Sequence, residues 1–176
     1  CNKTEEKCRQ MQWFSIEEAT PHPLFNGTFN DIGLIRLNAS VVFTDYIQPI
    51  CLPKSIPHSK VEDALYTSGF LIHYDPTLQK DKFKTNKTTI LKPLKVCKDW
   101  FKDYQHTVVL NELNFCSMDV PNDSVFLNAF TDHGGPVVSF YNNRWYVEGV
   151  LSLAVDVASL RPLVHTNVSY YVDWIQ

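Results

Sequence analysis

Thr131-Asp132-His133-Gly134-Gly135-Pro136 leads into Val137-Val138-Ser139-Phe140, and the two halves of this stretch call for different backbones. Two glycines and a proline punctuate the chain as a turn, and the largely apolar residues after them read as a strand. On these residues alone the stretch is a turn entering a strand, with a carboxylate and an imidazole at its mouth. Neighbouring side chains on an extended loop diverge. No His-x-x-x-His, Cys-x-x-Cys or second carboxylate joins Asp132 and His133 to complete a ligand set. No metal and no cofactor is therefore expected, and His133 reads as a packed or solvent-facing imidazole. The surrounding chain decides whether the turn is anything more.

That chain has 176 residues, 44% of them hydrophobic and 13% aromatic, enough to bury a substantial core. Its net charge of −3 and isoelectric point near 6.1 provide no footprint for nucleic acid or an anionic membrane surface. No apolar run approaches the roughly 20 residues of a membrane-spanning helix, and the N-terminus lacks the basic-then-apolar order of a signal peptide. The chain is read as mature or truncated. Six Asn-x-Ser/Thr sequons, at Asn2, Asn26, Asn38, Asn86, Asn122 and Asn167, are candidate glycosylation acceptors. Five cysteines, Cys1, Cys8, Cys51, Cys97 and Cys116, fit an oxidising compartment. Both features point to a secreted, extracellular protein, and the odd cysteine must pair outside the chain or stay free.

Local patterns mark out the elements. Cys1 to Cys8 encloses a polar segment, either a surface loop closed by a disulfide or two unrelated thiols. Trp13 to Ala19 has the partial alternation of a strand that Pro21-His22-Pro23 stops, with His22 as a turn residue. Asn30-Asp31 opens an apolar strand through Leu37, and Lys84 to Lys92 reads as another. Val96 to Phe101 suits a short helix. Val137 to Tyr141 and Arg144 to Val155 flank Asn142-Asn143, the composition of a hairpin turn, and Ser169 is placed to cap a C-terminal helix.

Several of these segments, in order, resemble the trypsin-like (chymotrypsin-fold) serine proteases. Asn30-Asp31-Ile32-Gly33-Leu34-Ile35-Arg36-Leu37 is similar to the segment carrying the triad aspartate, and Gln48-Pro49-Ile50-Cys51-Leu52-Pro53 to the interdomain linker. Tyr66-Thr67-Ser68-Gly69-Phe70 resembles the strand that begins the second barrel, and Gly149 to Leu153 the strand along which substrate lies. The Gly-Gly-Pro frame follows Gly-Asp-Ser in that family. Here Thr131 stands for the first glycine and His133 for the serine. The resemblance implies an all-β fold, a chymotrypsin-like double Greek-key β-barrel, with a short helix near 95–104 and a C-terminal helix starting over 169–176. It divides the chain into the C-terminal part of a first barrel (1–50), a linker (51–65) and a second barrel with the start of the helix (66–176). The first barrel is expected to be incomplete in this chain, since nothing resembles the Ala-Ala-His-Cys segment of the triad histidine.

The same resemblance assigns roles to residues. Asp31 and His133 become vestigial triad positions, because nucleophilic catalysis needs a hydroxyl that an imidazole can deprotonate. Thr131 replaces the glycine whose backbone supplies an oxyanion donor, and losing one such donor typically costs about 100- to 1,000-fold in turnover. Asp132 is where active relatives pair with a freed N-terminus. Leu127 falls near the base of the specificity pocket, Ala129 stands for a bracing cysteine, and Ser152, Leu153 and Ala154 line the substrate strand without its customary tryptophan and glycine. Cys97 and Cys116 are implied to form a disulfide, and Cys51 to bridge to an N-terminal segment or light chain of the same protein. The loop before the first strand and Asp45 to Pro53 resemble arthropod clip-domain proteases and their inactive homologues, which regulate extracellular cascades such as prophenoloxidase activation and Toll processing. The implied function is a catalytically inactive homologue that binds an extracellular protease, zymogen or other cascade protein. The alternatives are an active endopeptidase with an unorthodox site, and a carrier or recognition protein on the same scaffold.

Overall fold

A computed structural model describes residues 11–27, 29–53, 63–73, 81–103, 108–119, 133–154 and 162–176. Among them run β1 (Ile16–Pro21), β2 (Gly33–Leu37), β3 (Ala64–His73), β4 (Asp81–Lys92), α1 (Leu94–Asp103), β5 (Asn114–Asp119), β6 (Pro136–Tyr141), β7 (Arg144–Ala154) and β8 (Pro162–Asn167). A 3-10 turn (Val168–Tyr171) and α2 (Val172–Ile175) follow. Strands β3-β4-β5-β8-β7-β6 close into an antiparallel barrel, while β1 and β2 form a separate two-stranded sheet. This mostly β architecture, a six-stranded barrel beside a second sheet, matches the expected fold class.

The barrel follows from its turns and its alternation. Asn142 and Asn143 both take left-handed backbone, φ 47° and 58°, which asparagine tolerates and which a two-residue hairpin turn requires. They join β6 to β7 with Tyr141 opposite Arg144. On β6, Val137 and Ser139 face inward while Phe140 and Tyr141 lie exposed. β8 is buried over Pro162 to Thr166, with Val164 packed into the cluster beneath α1. Outside the barrel, α1 lays Cys97 and Phe101 onto Leu110, Cys116 and Val164, with Trp100 and Leu153 at the margin. Cys97 and Cys116 are joined in a disulfide, Cα atoms 6.2 Å apart.

Several boundaries differ from the sequence reading. β1 starts at Ile16 and continues through Pro21, which pairs with Gly33 at the sheet's end, where a missing N–H costs nothing to the ladder. β3 starts at Ala64. β4 begins at Asp81 because it pairs with the whole length of β3, His73 opposite Asp81. Asn167, not Ser169, caps the C-terminal turn. Its Oδ1 accepts from Ser169 N at 3.3 Å and from Ser169 Oγ at 2.8 Å, so the serine hydroxyl is spent on the asparagine.

The two-stranded sheet is built differently. A bulge between Ile16 and Glu18 lets both Glu17 and Glu18 reach Arg36, at 3.3 and 2.9 Å. Side-chain amides strap the neighbouring chain to it: Gln12 exchanges two hydrogen bonds with the backbone of Val42, and Asn38 Oδ1 accepts from Ser15 N at 3.0 Å. All six residues of β1 are exposed, and Trp13, at 86% exposure, Ile16, Ile35, Val42 and Phe43 are all exposed apolar residues. Two strands alone are marginal in water.

Candidate functional site at the junction of the two sheets

Asp31 is positioned by the turn before β2. Asn30 takes left-handed backbone, φ 56°, and its Nδ2 donates to Leu24 O at 2.8 Å, while Tyr171 OH donates to its Oδ1 at 3.2 Å. The Tyr171 phenol is pushed up by burial and by the negative charge of Asp31, against an opposing hydrogen bond at Asn30. Asp31 then meets the barrel twice. Ser152 Oγ donates to its Oδ2 at 2.7 Å, and Thr166 Oγ1 to its backbone O at 2.8 Å. Ser152 is free to do this because the β7–β8 register slips between Leu151 and Leu153; an extra residue in one strand re-aims its side chain.

The His133 turn reaches the same point from the other side. Gly134, at φ 82°, donates its N–H to Leu151 O at 2.8 Å, and Leu151 N donates to Gly135 O at 2.9 Å. Asp31 therefore rests on Ser152, and the turn carrying the exposed His133 rests on the adjacent Leu151. Leu153 packs at the margin of the α1 cluster. Thr131, Asp132, Leu127, Ala129, Cys1, Cys8, Asn2 and Asn122 lie outside the described residues. Asn86 lies on β4 opposite Ser68. Cys51 is a half-buried free thiol whose backbone bridges to β7, N–H to Trp145 O at 3.0 Å and O from Val147 N at 3.1 Å.

Two histidines carry more than their sequence context suggested. His22, expected as a plain turn residue, packs edge-on against Tyr171 and Trp174, ring centroids 5.3 and 4.8 Å apart, so the Pro-His-Pro segment holds the C-terminal helix. His165 is buried on β8, its Nε2 2.8 Å from Ser117 Oγ, which also bonds Thr89 Oγ1 at 2.8 Å. Its Nδ1 has no partner among the described residues, and burial lowers its pKa from 6.5 to about 3. Only a polar residue within an apolar strand signalled it. An open groove of about 270 Å³ between Tyr66, Thr67, Ser68, Pro136, Val138 and Trp145 involves none of the predicted site residues.

Gly149 sets the spacing inside this part of the barrel. A Cβ there would fall 2.4 and 2.5 Å from Phe115 ring carbons and 3.0 Å from His165 Cβ, and the Phe115 and His165 rings already lie 4.8 Å apart. Gly149→Ala is expected to destabilise the protein by about 1 to 3 kcal/mol, as overpacking does. Urea unfolding reads it directly, and an unchanged midpoint would show that Phe115 swings aside at no cost.

Chemically, the junction holds an acid by a hydroxyl and fixes to a strand a glycine turn that carries the exposed His133. Comparison with known proteins agrees with this geometry. The family model described as Trypsin matches residues 2–175, and the chain belongs to the trypsin-like serine protease family. It is 31% identical to phenoloxidase-activating factor 3 of Holotrichia diomphalia over 94% of this chain and 47% of that protein. It is 26% identical to CLIP domain-containing serine protease B15 of Anopheles gambiae, over 96% and 46% respectively. Against melanization protease 1 of Drosophila melanogaster the identity is 28%, over 93% and 42%. The chain thus spans about half the length of the curated relatives it matches.

Proposed function

We propose that this protein is a secreted, catalytically inactive member of the family that works by binding a protease, zymogen or other component of an extracellular proteolytic cascade. The observation that carries the reading is His133 on a turn hydrogen-bonded to β7 beside Ser152 and Asp31. Acyl transfer at that position needs an activated hydroxyl, and an imidazole supplies none. Thr131 adds a second loss, since a β-branched residue disfavours the backbone that aims an oxyanion donor. The relatives named for phenoloxidase activation and melanization support the cascade.

The exposed apolar residues on and around β1 and β2 support a partner segment. Further strands from the remainder of the same protein, or from its light chain, complete a first barrel over Trp13, Ile16 and Ile35, and Cys51 is the thiol through which such a segment is tethered. The working division remains 1–50, 51–65 and 66–176, with β3 crossing the last boundary by two residues.

The test uses the full-length protein, assembled and proteolytically processed as in its source fluid. A fluorophosphonate serine reagent is expected to leave it unlabelled, and the variant His133→Ser is expected to cleave no trypsin-like peptide substrate, because Thr131, Leu127 and Ala129 remain altered. Clear labelling of the native protein would overturn the inactive reading. Robust cleavage by the single variant would show that the losses around His133 matter less than stated here.

A further inference from the structure

Three of the sequons, at Asn26, Asn38 and Asn167, have described side chains, and their folded surroundings separate them into two kinds. Asn26 and Asn38 are exposed loop residues. Asn26 leads into Gly27, at φ 88°, and its Oδ1 accepts from Phe29 N at 2.9 Å. Asn38 follows the end of β2, and its Oδ1 accepts from Ser15 N at 3.0 Å. Both bonds use the carboxamide oxygen, which an N-linked sugar leaves in place, since the sugar is carried on nitrogen. Each bond fixes the asparagine on a loop whose backbone is held on both sides of the acceptor: Asn26 N donates to Phe29 O, and Asn38 N to Ser15 O.

Asn167 is placed differently. It is half-buried between Thr166 and Val168, at 1% and 2% exposure. Its Cα pairs with Gly149 on one side, and its N–H donates to Leu113 O at 2.9 Å on the other. The hydroxyl of its own sequon, Ser169 Oγ, donates into its side chain at 2.8 Å. A bulky, hydrated glycan belongs on open surface, and this position lies within the barrel wall.

We infer that Asn26 and Asn38 are N-glycosylation sites occupied by oligosaccharide in the folded protein, and that Asn167 is an unmodified structural cap. Both sites sit on the loops of the small sheet, Asn26 on the β1–β2 connection and Asn38 just after β2. The inference rests on passage through a secretory pathway, which is part of the proposed function, and the experiment separates the two.

The full-length protein is expressed in a eukaryotic secretory host behind a heterologous leader. The secreted product is treated with peptide N-glycosidase in heavy-oxygen water and mapped by mass spectrometry. Asn26 and Asn38 are expected to carry the isotope tag and Asn167 none. Thr28→Ala and Ser40→Ala are each expected to lose the mass of one glycan, and Ser169→Ala, which preserves the Asn167 cap, to lose nothing. A tag on Asn167, or an untagged Asn26 or Asn38, overturns the inference. If the recombinant protein shows the expected pattern but the same protein from its native source carries no glycan, secretion is what fails, and the site assignment stands.

Discussion

Lowering the pH from about 7 to about 3 is expected to remove roughly 4 to 5 kcal/mol of folding stability through His165 alone. The imidazole is buried, and its pKa is lowered from 6.5 to about 3. Charging it requires both ring nitrogens to carry hydrogen, yet Nδ1 faces no acceptor among the described residues, so the cation gains nothing for its lost hydration. The unfolded chain therefore binds a proton near pH 6.5 that the folded chain refuses until about pH 3. Above the unfolded value neither state is protonated and no penalty exists. Below it the unfolded state is favoured, and stability falls at about 1.4 kcal/mol per pH unit through that window. Between about pH 7 and about pH 5 the loss amounts to roughly 2 kcal/mol. Urea unfolding of the protein and of His165→Phe at both pH values isolates the effect. Phenylalanine keeps the packing on Phe115 and Gly149 and cannot titrate. The variant is expected to lose less stability on acidification than the parent, whatever its absolute stability. Equal slopes in both proteins would mean that His165 is charged, or solvated, in the folded state.

Motif order made the barrel legible because the motifs sit where backbone geometry is least negotiable. Asn142-Asn143 dictates a hairpin and Gly134-Gly135 a turn. Asp31 was singled out by the resemblance of Asn30 to Leu37 to the segment carrying the triad aspartate, whereas its partner Ser152 was invisible as such. That contact spans 121 positions and depends on a register slip in β7, and sequence periodicity carries no trace of a slip. His165 and His22 escaped for a related reason. A histidine in an apolar strand or between prolines has the same local signature whether it is solvated, buried or stacked, and only the tertiary neighbours Ser117, Phe115, Tyr171 and Trp174 distinguish these. The helix boundary at Ser169 was misplaced because two capping residues stand two apart, and the choice between them is made by β8 ending at Asn167 rather than by propensity.

Breaking the Cys97–Cys116 disulfide with Cys97→Ala and Cys116→Ala together is expected to cost about 3 to 5 kcal/mol. The two residues are 19 apart in sequence, and releasing a closed loop of that length restores chain entropy to the unfolded state worth about 3 kcal/mol. Both sulfurs are fully buried against Phe101, Leu110 and Val164, so their removal also loses packing. For a chain of this length each kcal/mol moves the melting temperature by about 2 to 4 °C, which puts the expected fall at roughly 6 °C or more. Either single substitution breaks the same covalent bond, so single and double variants are expected to agree within about 1 kcal/mol. Additive single losses would show instead that the two side chains contribute separately by packing. The consequence reaches the candidate site through Leu153, which packs against this cluster immediately after Ser152. Loosening α1 frees Leu153, and with it the bulge that aims Ser152 at Asp31. Faster amide exchange at Leu153 in the double variant, beyond that of the β6–β7 hairpin, is the measurement that ties the disulfide to the junction rather than to global stability alone.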